Sequence, residues 1–560
     1  MLALVQLEPQ VHELGLRETE RTGEGRGAPR LFGGAWVLQV GPPLRASPGS
    51  SIWRCARQNC TRPASREEET RFVRRLNAIF GPVRLRKQQL VRHLAAVVLG
   101  ILVVFPGTAC RRDEPPPGVV CFVFDAAAAS HFGAYGYGRE TSPNFDRLAS
   151  RSLLFQEHFA PAPYTFSSFA SFFTSAYPPF HGAIRLGDRL PDNLPVLAEL
   201  LRAKGIRTGA FVANAWLEAS FGFSRGFDEY RNYQAGSFDP DRERATDYEA
   251  LLRDVGRFLS SVRGDRFFLL VHVLLPHNPY APPPQFLEPF GDPSYRGSFT
   301  ATTRALLDVD AGTRTLEPED RRRLVDLYDG NLRYGDWILG RTLEALRAAG
   351  RWKNSALIVT SDHGEAFGQH GRYLHNSTVY DEMIRVPLLL RLPHARASAP
   401  DTAALGDHVD LLPTILQLFD LPVPEHGLQG ISLLIPDRAA RKPFVLSFST
   451  ELSLVALRSD RFKFIRAREG KAEYYALASD PGETQNRILS DPELERSEGR
   501  RLASYESGLE RLPLPRGGGA ASPGKDVLER LRSLGYLGGP GAEKGGQGST
   551  SPTARPARRP

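Results

Sequence analysis

Asp125 directly follows the apolar, β-branched run Val119–Phe124, and Asp362-His363 stand just past a second such run, Ala356–Thr360. In an open α/β sheet ligands gather beyond the carboxyl ends of the strands. Two carboxylates and an imidazole at such ends suit a divalent cation. Asp125 alone would as readily cap a helix. The turn S-D-H-G-E, Ser361 to Glu365, is more specific, because adjacent Asp and His can both face one ion. A third element is P-Y-T-F-S-S-F-A-S-F-F-T-S, Pro163 to Ser175. A hydroxyl at the start of a helix, here Thr165, meets free N–H groups and the positive end of the helix dipole. Both favour a developing alkoxide and an anionic substrate, and a metal would lower the hydroxyl's pKa further. The competing role for Thr165 is simply to cap the helix.

These groups need a scaffold of buried strands. Val119–Phe124, Thr208–Val212, Phe267–Leu275, Ala356–Thr360 and Pro387–Leu392 read as strands, most of them apolar enough to be buried on both faces. Ser142-Pro143 offers a cap and a first-turn proline, with Phe145, Leu148 and Ala149 at helical spacing. Another helix spans Leu194 to Lys204 and stops at Gly205. Alternating strands and helices predict an α/β fold with a mainly parallel sheet sandwiched by helices, over residues 118–440. From Phe444 the pattern changes to short strands, Leu454–Arg458, Phe462–Arg466 and Glu473–Ala476, with one late helix. That predicts a smaller α+β subdomain over 441–537, followed by a Gly/Pro/Ser/Arg-rich disordered tail over 538–560.

The 560 residues carry a formal charge of +8, with much of the excess in the Arg-rich N-terminal region and the Arg-ended tail. No basic helix or base-stacking motif accompanies it, so nucleic acid is not an expected partner. Four cysteines are too few for a disulfide scaffold. Cys55 and Cys60 lack partners for a zinc site, and Cys121 belongs to the core. Residues 83–110 have the parts of a signal peptide: Arg84, Arg86, Lys87 and Arg92, then the apolar Leu94–Phe105, then Gly107-Thr108-Ala109-Cys110. The apolar run is shorter than the ~20 residues of a spanning helix. Its end resembles a lipoprotein box, which implies export to the periplasm or cell envelope and a membrane tether through lipidated Cys110. Gly107 replaces the usual aliphatic residue there. Residues 1–82 show little periodicity and are read as an unstructured basic extension, with translation starting near Val83 as the alternative.

V-V-C-F-V-F-D (Val119–Asp125), G-A-Y-G-Y (Gly133–Tyr137), T-S-P-N-F-D (Thr141–Asp146), P-H-N-P-Y (Pro276–Tyr280) and S-D-H-G-E-A-F-G-Q-H-G (Ser361–Gly371) follow in order. Y-D-E-M-I-R-V-P (Tyr380–Pro387), D-P-G-E (Asp480–Glu483) and L-R-S-L-G-Y-L (Leu531–Leu537) complete the series. Together they resemble the sulfatase family of the alkaline-phosphatase superfamily. The resemblance implies a metal site of Asp125, Thr165, Asp362 and His363, with Thr165 as nucleophile and His277 and His375 near the substrate or leaving group. Glu365 and Asp336 are expected behind the site or on helix surfaces. Sulfatases of that family carry Cys or Ser in C/S-x-P-S-R, which becomes formylglycine. Here the aligned run is Thr165-Phe166-Ser167-Ser168-Phe169, so no aldehyde can form and Phe169 replaces the Arg. Ala126 replaces a second acidic ligand, and a further Arg is lost in Ala126–Ala129. This pattern looks like the phosphoethanolamine- and phosphoglycerol-transferase branch and related phosphodiesterases, in which Thr attacks phosphorus.

One imidazole among few oxygens favours zinc or manganese over calcium, which prefers six to eight oxygens. The expected function is an exported, metal-dependent hydrolase or transferase that cleaves phosphate or sulfate esters through a threonine. Its substrate would be an anionic ester: a phosphodiester, a phospholipid head group or a sulfate ester. The alternatives are a sulfatase without formylglycine and a catalytically silent binding protein on the same fold.

Overall fold

The computed structural model describes residues 118–234, 246–262, 264–393, 400–424, 427–437, 442–510 and 519–537. The expected extension 1–82, the signal segment with Cys110, and the tail 538–560 lie outside the described residues. Among the described residues no helix is long and apolar enough to cross a membrane.

Seven strands build the central sheet: β1 (Gly118–Asp125), β2 (Leu153–Phe155), β3 (Arg207–Val212), β4 (Glu229–Asn232), β5 (Phe267–Pro276), β6 (Ser355–Ser361) and β7 (Leu388–Arg391). Their order is β2-β7-β6-β1-β5-β3-β4. Strands β6, β1, β5, β3 and β4 run parallel, and β7 runs antiparallel between β2 and β6. The mainly parallel α/β sheet expected from the alternating pattern is present.

The uninterrupted apolar runs follow from two-sided burial. In β1, Val119, Cys121 and Val123 enter the core on one face, while Val120, Phe122 and Phe124 enter the core on the other. Ala356 and Ile358 divide from Leu357 and Val359 in the same way. Each large side chain buried like this contributes about 1.5–3 kcal/mol relative to exposure. Against the second face lie helices α1 (Pro143–Ala149), α4 (Tyr248–Ser261) and the 31-residue α5 (Pro318–Ala348). Against the first lie α2 (Thr165–Thr174), α3 (Leu197–Arg202), α6 (Leu411–Leu418) and α8 (Lys525–Ser533).

Several local readings change. Helix α3 begins at Leu197 rather than Leu194, because Pro195 disfavours helical backbone in the residue before it. Pro143 does open α1, but the Ser142 hydroxyl bonds Asp146 Oδ1 rather than capping the helix. The cap comes from Asp336, whose carboxylate accepts Asn144 N–H and Phe145 N–H, both at 2.8 Å. Asp336 was expected behind the reactive site or on a surface. It is instead a buried tie between α5 and α1, and burial pushes its carboxyl up to about 7.

The late short strands form a four-stranded antiparallel sheet, β8 (Val445–Phe448), β9 (Leu454–Arg458), β10 (Phe462–Ala467) and β11 (Glu473–Ala476), with α7 (Glu493–Glu510). Its joint to the main domain is apolar, with Val379, Met383 and Ile384 packed against Val445, Ala456 and Ile465, and is bordered by ion pairs. Lys463 Nζ meets Asp381 and Glu483, and Arg458 meets Asp381 and Glu157. Glu483 also accepts Asp381 N–H at 2.8 Å. Two of the motif stretches, Tyr380–Pro387 and Asp480–Glu483, therefore contain the residues of this joint.

Candidate active site

Strands β1 and β6 are parallel neighbours with Phe124 opposite Ser361, so their carboxyl ends deliver Asp125 and Asp362 side by side. The chain leaves β1 through Ala126 at φ 60°, a left-handed conformation that costs a non-glycine residue about 1–3 kcal/mol. Surrounding bonds hold it. Ala126 N–H donates to Asp362 Oδ1 at 3.1 Å, Ala127 N–H to Ser361 Oγ at 2.8 Å, and Ala128 N–H to Tyr328 Oη at 3.1 Å. The alanine run, which lacks the charged side chains of the resembled pattern, thus acts through its backbone to clamp the two strand ends. In the facing turn, a Cβ on Gly364 would lie 2.2 Å from Glu382 O, so only glycine fits there.

One ligand atom each from Asp125, Asp362 and His363 lies within 4.8 Å of the others. His363 donates Nδ1–H to Gly364 O at 2.9 Å, which leaves the Nε2 lone pair free. That Nε2 stands 3.5 Å from Asp125 Oδ1, 3.7 Å from Asp362 Oδ1 and 3.5 Å from Thr165 Oγ1. Burial, and then His375, depress the His363 pKa and keep the ring neutral, as a ligand must be. Burial and the Asp125 carboxylate push Asp362 well above the usual carboxylate range. Burial would raise Asp125 too, but His277 and His272 hold it low. Asp125 Oδ1 and Asp362 Oδ2 are buried without a hydrogen-bond partner. Orphaned carboxylate oxygens beside a neutral imidazole fit a cation, which would let both acids ionise.

Thr165 is the first residue of α2, and the cap position belongs to Tyr164, which makes no side-chain cap bond. The Thr165 hydroxyl is therefore free of capping duty. It receives Asn214 Nδ2–H at 3.2 Å, and Asn214 also donates to Asp125 Oδ2 at 2.6 Å. Trp216 N–H occupies Asn214 Oδ1, which fixes the amide's orientation. Phe169 packs its ring edge-on against His272 at 5.2 Å, and His272 Nε2 lies 3.4 Å from Asp125 Oδ2. The sequence patterns do not single out Asn214 or His272. Asn214 had the same signal as Asp125, a polar residue just past a strand. His272 had a weaker one, an imidazole inside an apolar strand.

Asn214→Ala removes the donor shared by Thr165 and Asp125. We expect it to lower kcat by about 10–100-fold, as for lost partners of metal ligands elsewhere. Atomic emission should still find metal in the variant. Unchanged kcat would mean that Asn214 only caps the following turn.

His277 and His375 converge beside these groups, with ring centroids 4.8 Å apart. The His375 ring lies 4.4 Å from that of His363. Glu365 accepts His375 Nδ1–H at 2.9 Å and Tyr280 O–H at 2.7 Å, so it orients His375. Burial opposes protonation of His375, but Glu365 raises its pKa; burial lowers that of His277. The six residues named from sequence, Asp125, Thr165, His277, Asp362, His363 and His375, share one buried site at the sheet's carboxyl edge.

A family model described as Sulfatase matches residues 117–421. An ulvan-active sulfatase of Formosa agariphila is 25% identical over 422 residues, spanning 69% of this chain and 80% of that protein. A Delta 4,5-hexuronate-2-O-sulfatase of Bacteroides thetaiotaomicron is 22% identical over 422 residues, spanning 69% of this chain and 87% of that protein. Among solved structures, the phosphonate monoester hydrolase SpPMH of Silicibacter pomeroyi superposes with a TM-score of 0.58 at 19% identity, covering 71% of this chain and 96% of that one. The fold, the ordered strand-end site and a match over more than half of its length place this chain in the sulfatase family, among the ester hydrolases of alkaline-phosphatase type.

Proposed function

We propose that this chain is an exported, metal-dependent hydrolase of phosphodiesters whose nucleophile is the Thr165 hydroxyl. The observation that carries the reading is the placement of that hydroxyl. It is buried at the first turn of α2, 3.5 Å from His363 Nε2 and 3.2 Å from the Asn214 amide. Asp125, Asp362, His363 and Thr165 would hold one divalent cation, zinc or manganese before calcium. Bound there, it would supply Lewis acidity that lowers the hydroxyl's pKa and offsets the charge of the ester oxygens.

The protein's own groups account for the remaining steps. Asn214 orients the Thr165 oxygen for attack on phosphorus, and the helix N-terminus favours negative charge there. The Thr165 hydroxyl gives up its proton to solvent before attack, and the Thr165 Oγ–P bond then forms as the bond from phosphorus to the leaving alcohol oxygen breaks. That oxygen takes a proton from the imidazole pair His277 and His375, which Glu365 orients. Water then cleaves the phosphothreonine and restores the hydroxyl; an acceptor alcohol in place of water would make the same site a transferase. The leader Arg84–Cys110 supports export and a lipid tether at Cys110.

The second reading is sulfate-ester hydrolysis without formylglycine, favoured by the sulfatases among the relatives. A silent binding protein is disfavoured, because such a protein has no use for an uncapped buried hydroxyl beside orphaned carboxylates. Purified protein should be assayed on aryl phosphodiester, phosphomonoester and sulfate ester, with metal analysis before and after chelation. We expect the phosphodiester to turn over fastest, with activity lost on chelation and restored by zinc or manganese. Fastest turnover of the sulfate ester would overturn the phosphate assignment. Full activity after complete metal removal would overturn metal dependence.

A further inference from the structure

The C-terminal helix α8 reaches back to the site. Val527 and Leu531 are buried in the same apolar cluster as Phe166 and Phe169 of α2. Arg530 pairs with Glu218 at 2.5 Å, in the loop just past Asn214. The chain then turns at Gly535, φ 87°, where the Tyr536 N–H bonds Leu531 O at 3.1 Å. This turn lays the Tyr536 ring edge-on against Trp216 at 5.4 Å. It also sets the Tyr536 hydroxyl 3.0 Å from His277 Nε2 and 3.1 Å from His375 Nε2.

Both imidazoles are aimed at that hydroxyl by their other nitrogens. His277 Nδ1 is held by Asn278 O, and His375 Nδ1 by Glu365. Two ring nitrogens thus converge on one oxygen position, and a side chain from the far end of the chain fills it. Beneath it, Thr165, Asp125 and His363 are each 0% exposed, whereas Tyr536 itself is partly exposed. An ester that reaches Thr165 and places its leaving oxygen between the imidazoles must displace this hydroxyl, so the Tyr536 side chain turns aside and its ring then flanks the alcohol portion.

We propose that Tyr536 is a specificity-determining residue of the ester site: its hydroxyl marks the place of the leaving-group oxygen, and its ring limits the alcohol that the site releases. This inference rests on the leaving-group role given above to His277 and His375. Removing the ring should enlarge the part of the site that takes the alcohol, whereas removing only the hydroxyl keeps the ring that limits it.

The test compares phenyl methyl phosphate with 2-naphthyl methyl phosphate, whose leaving groups have similar acidity and different size. In Tyr536→Ala, the naphthyl-to-phenyl ratio of kcat/KM is expected to rise about 10-fold or more over the parent protein, in the range set by changed pocket contacts. Tyr536→Phe should keep the parent ratio. A merely structural tyrosine would lower both esters by one factor. An unchanged ratio in a folded Tyr536→Ala protein, checked by thermal melting, overturns the proposal. If the alanine variant does not fold, Tyr536→Leu takes its place under the same criterion. Turnover of either ester by the parent protein, and its loss in Thr165→Ala, report separately on the hydrolase reading.

Discussion

Thr165→Ala is expected to fold, to bind metal through Asp125, Asp362 and His363, and to lose about 10³-fold or more in kcat. A positioned nucleophile supplies a large part of enzymatic acceleration, and the remaining residues cannot replace it. The neighbouring hydroxyls are already committed. Ser167 Oγ donates to Ala183 O at 2.9 Å, and Ser168 Oγ donates to Asp362 O at 2.6 Å. Among the described residues, only Thr165 presents a hydroxyl to both His363 and Asn214. Thr165→Ser should keep part of the activity, because the oxygen survives while the β-branched side chain's restricted rotamer is lost. Thr165→Cys should gain no formylglycine, since Phe169 stands where the modification motif has Arg. Mass spectrometry of protein quenched during phosphodiester turnover should place phosphate on the peptide holding Thr165. A fully active alanine variant would refute the covalent route. Phosphate on Ser167 or Ser168 would show that the nucleophile lies two or three residues further into α2.

Asp362→Asn should cut metal content from one ion per chain to a small fraction and abolish turnover, with the fold intact. The amide's Oδ1 can still accept Ala126 N–H and His363 N–H, the bonds that the carboxylate accepts at 3.1 and 2.8 Å. Asp362→Ala should lose metal equally and also destabilise the protein. Each buried N–H left without an acceptor costs about 1–3 kcal/mol. In the metal-free state the asparagine variant should melt no lower than the parent protein. Burial and Asp125 disfavour the charged form of Asp362, and asparagine carries no charge. Metal analysis and calorimetry of the variants with and without chelator check both statements. Retention of a full metal complement in either variant would move the cation site away from the ends of β1 and β6.

How much of this was legible in the residues depended on the range of the interaction. Buried strands announce themselves locally, because two-sided burial demands an unbroken apolar run. The rule that ligands sit past strand ends then selected Asp125 and Asp362-His363 directly. Thr165 was legible as a hydroxyl at a helix start, and the family motifs added His277 and His375. Strand order was not legible, and strand order is what sets Asn214 of the β3 loop against Asp125, 89 residues away. The role of Asp336 is not legible for the same reason: the helix it caps lies 192 residues before it. Tyr536 reaches His277 across 259 residues, through a helix whose docking depends on apolar contacts of Val527 and Leu531. Amino-acid types and spacing by themselves pointed to the groups suited to bind a metal or attack, and the family resemblance added the two imidazoles. Which donors hold those groups, and which side chain closes over them, only the tertiary structure decided, because such partners are chosen by the packing of whole elements and leave no periodic or local trace in the chain.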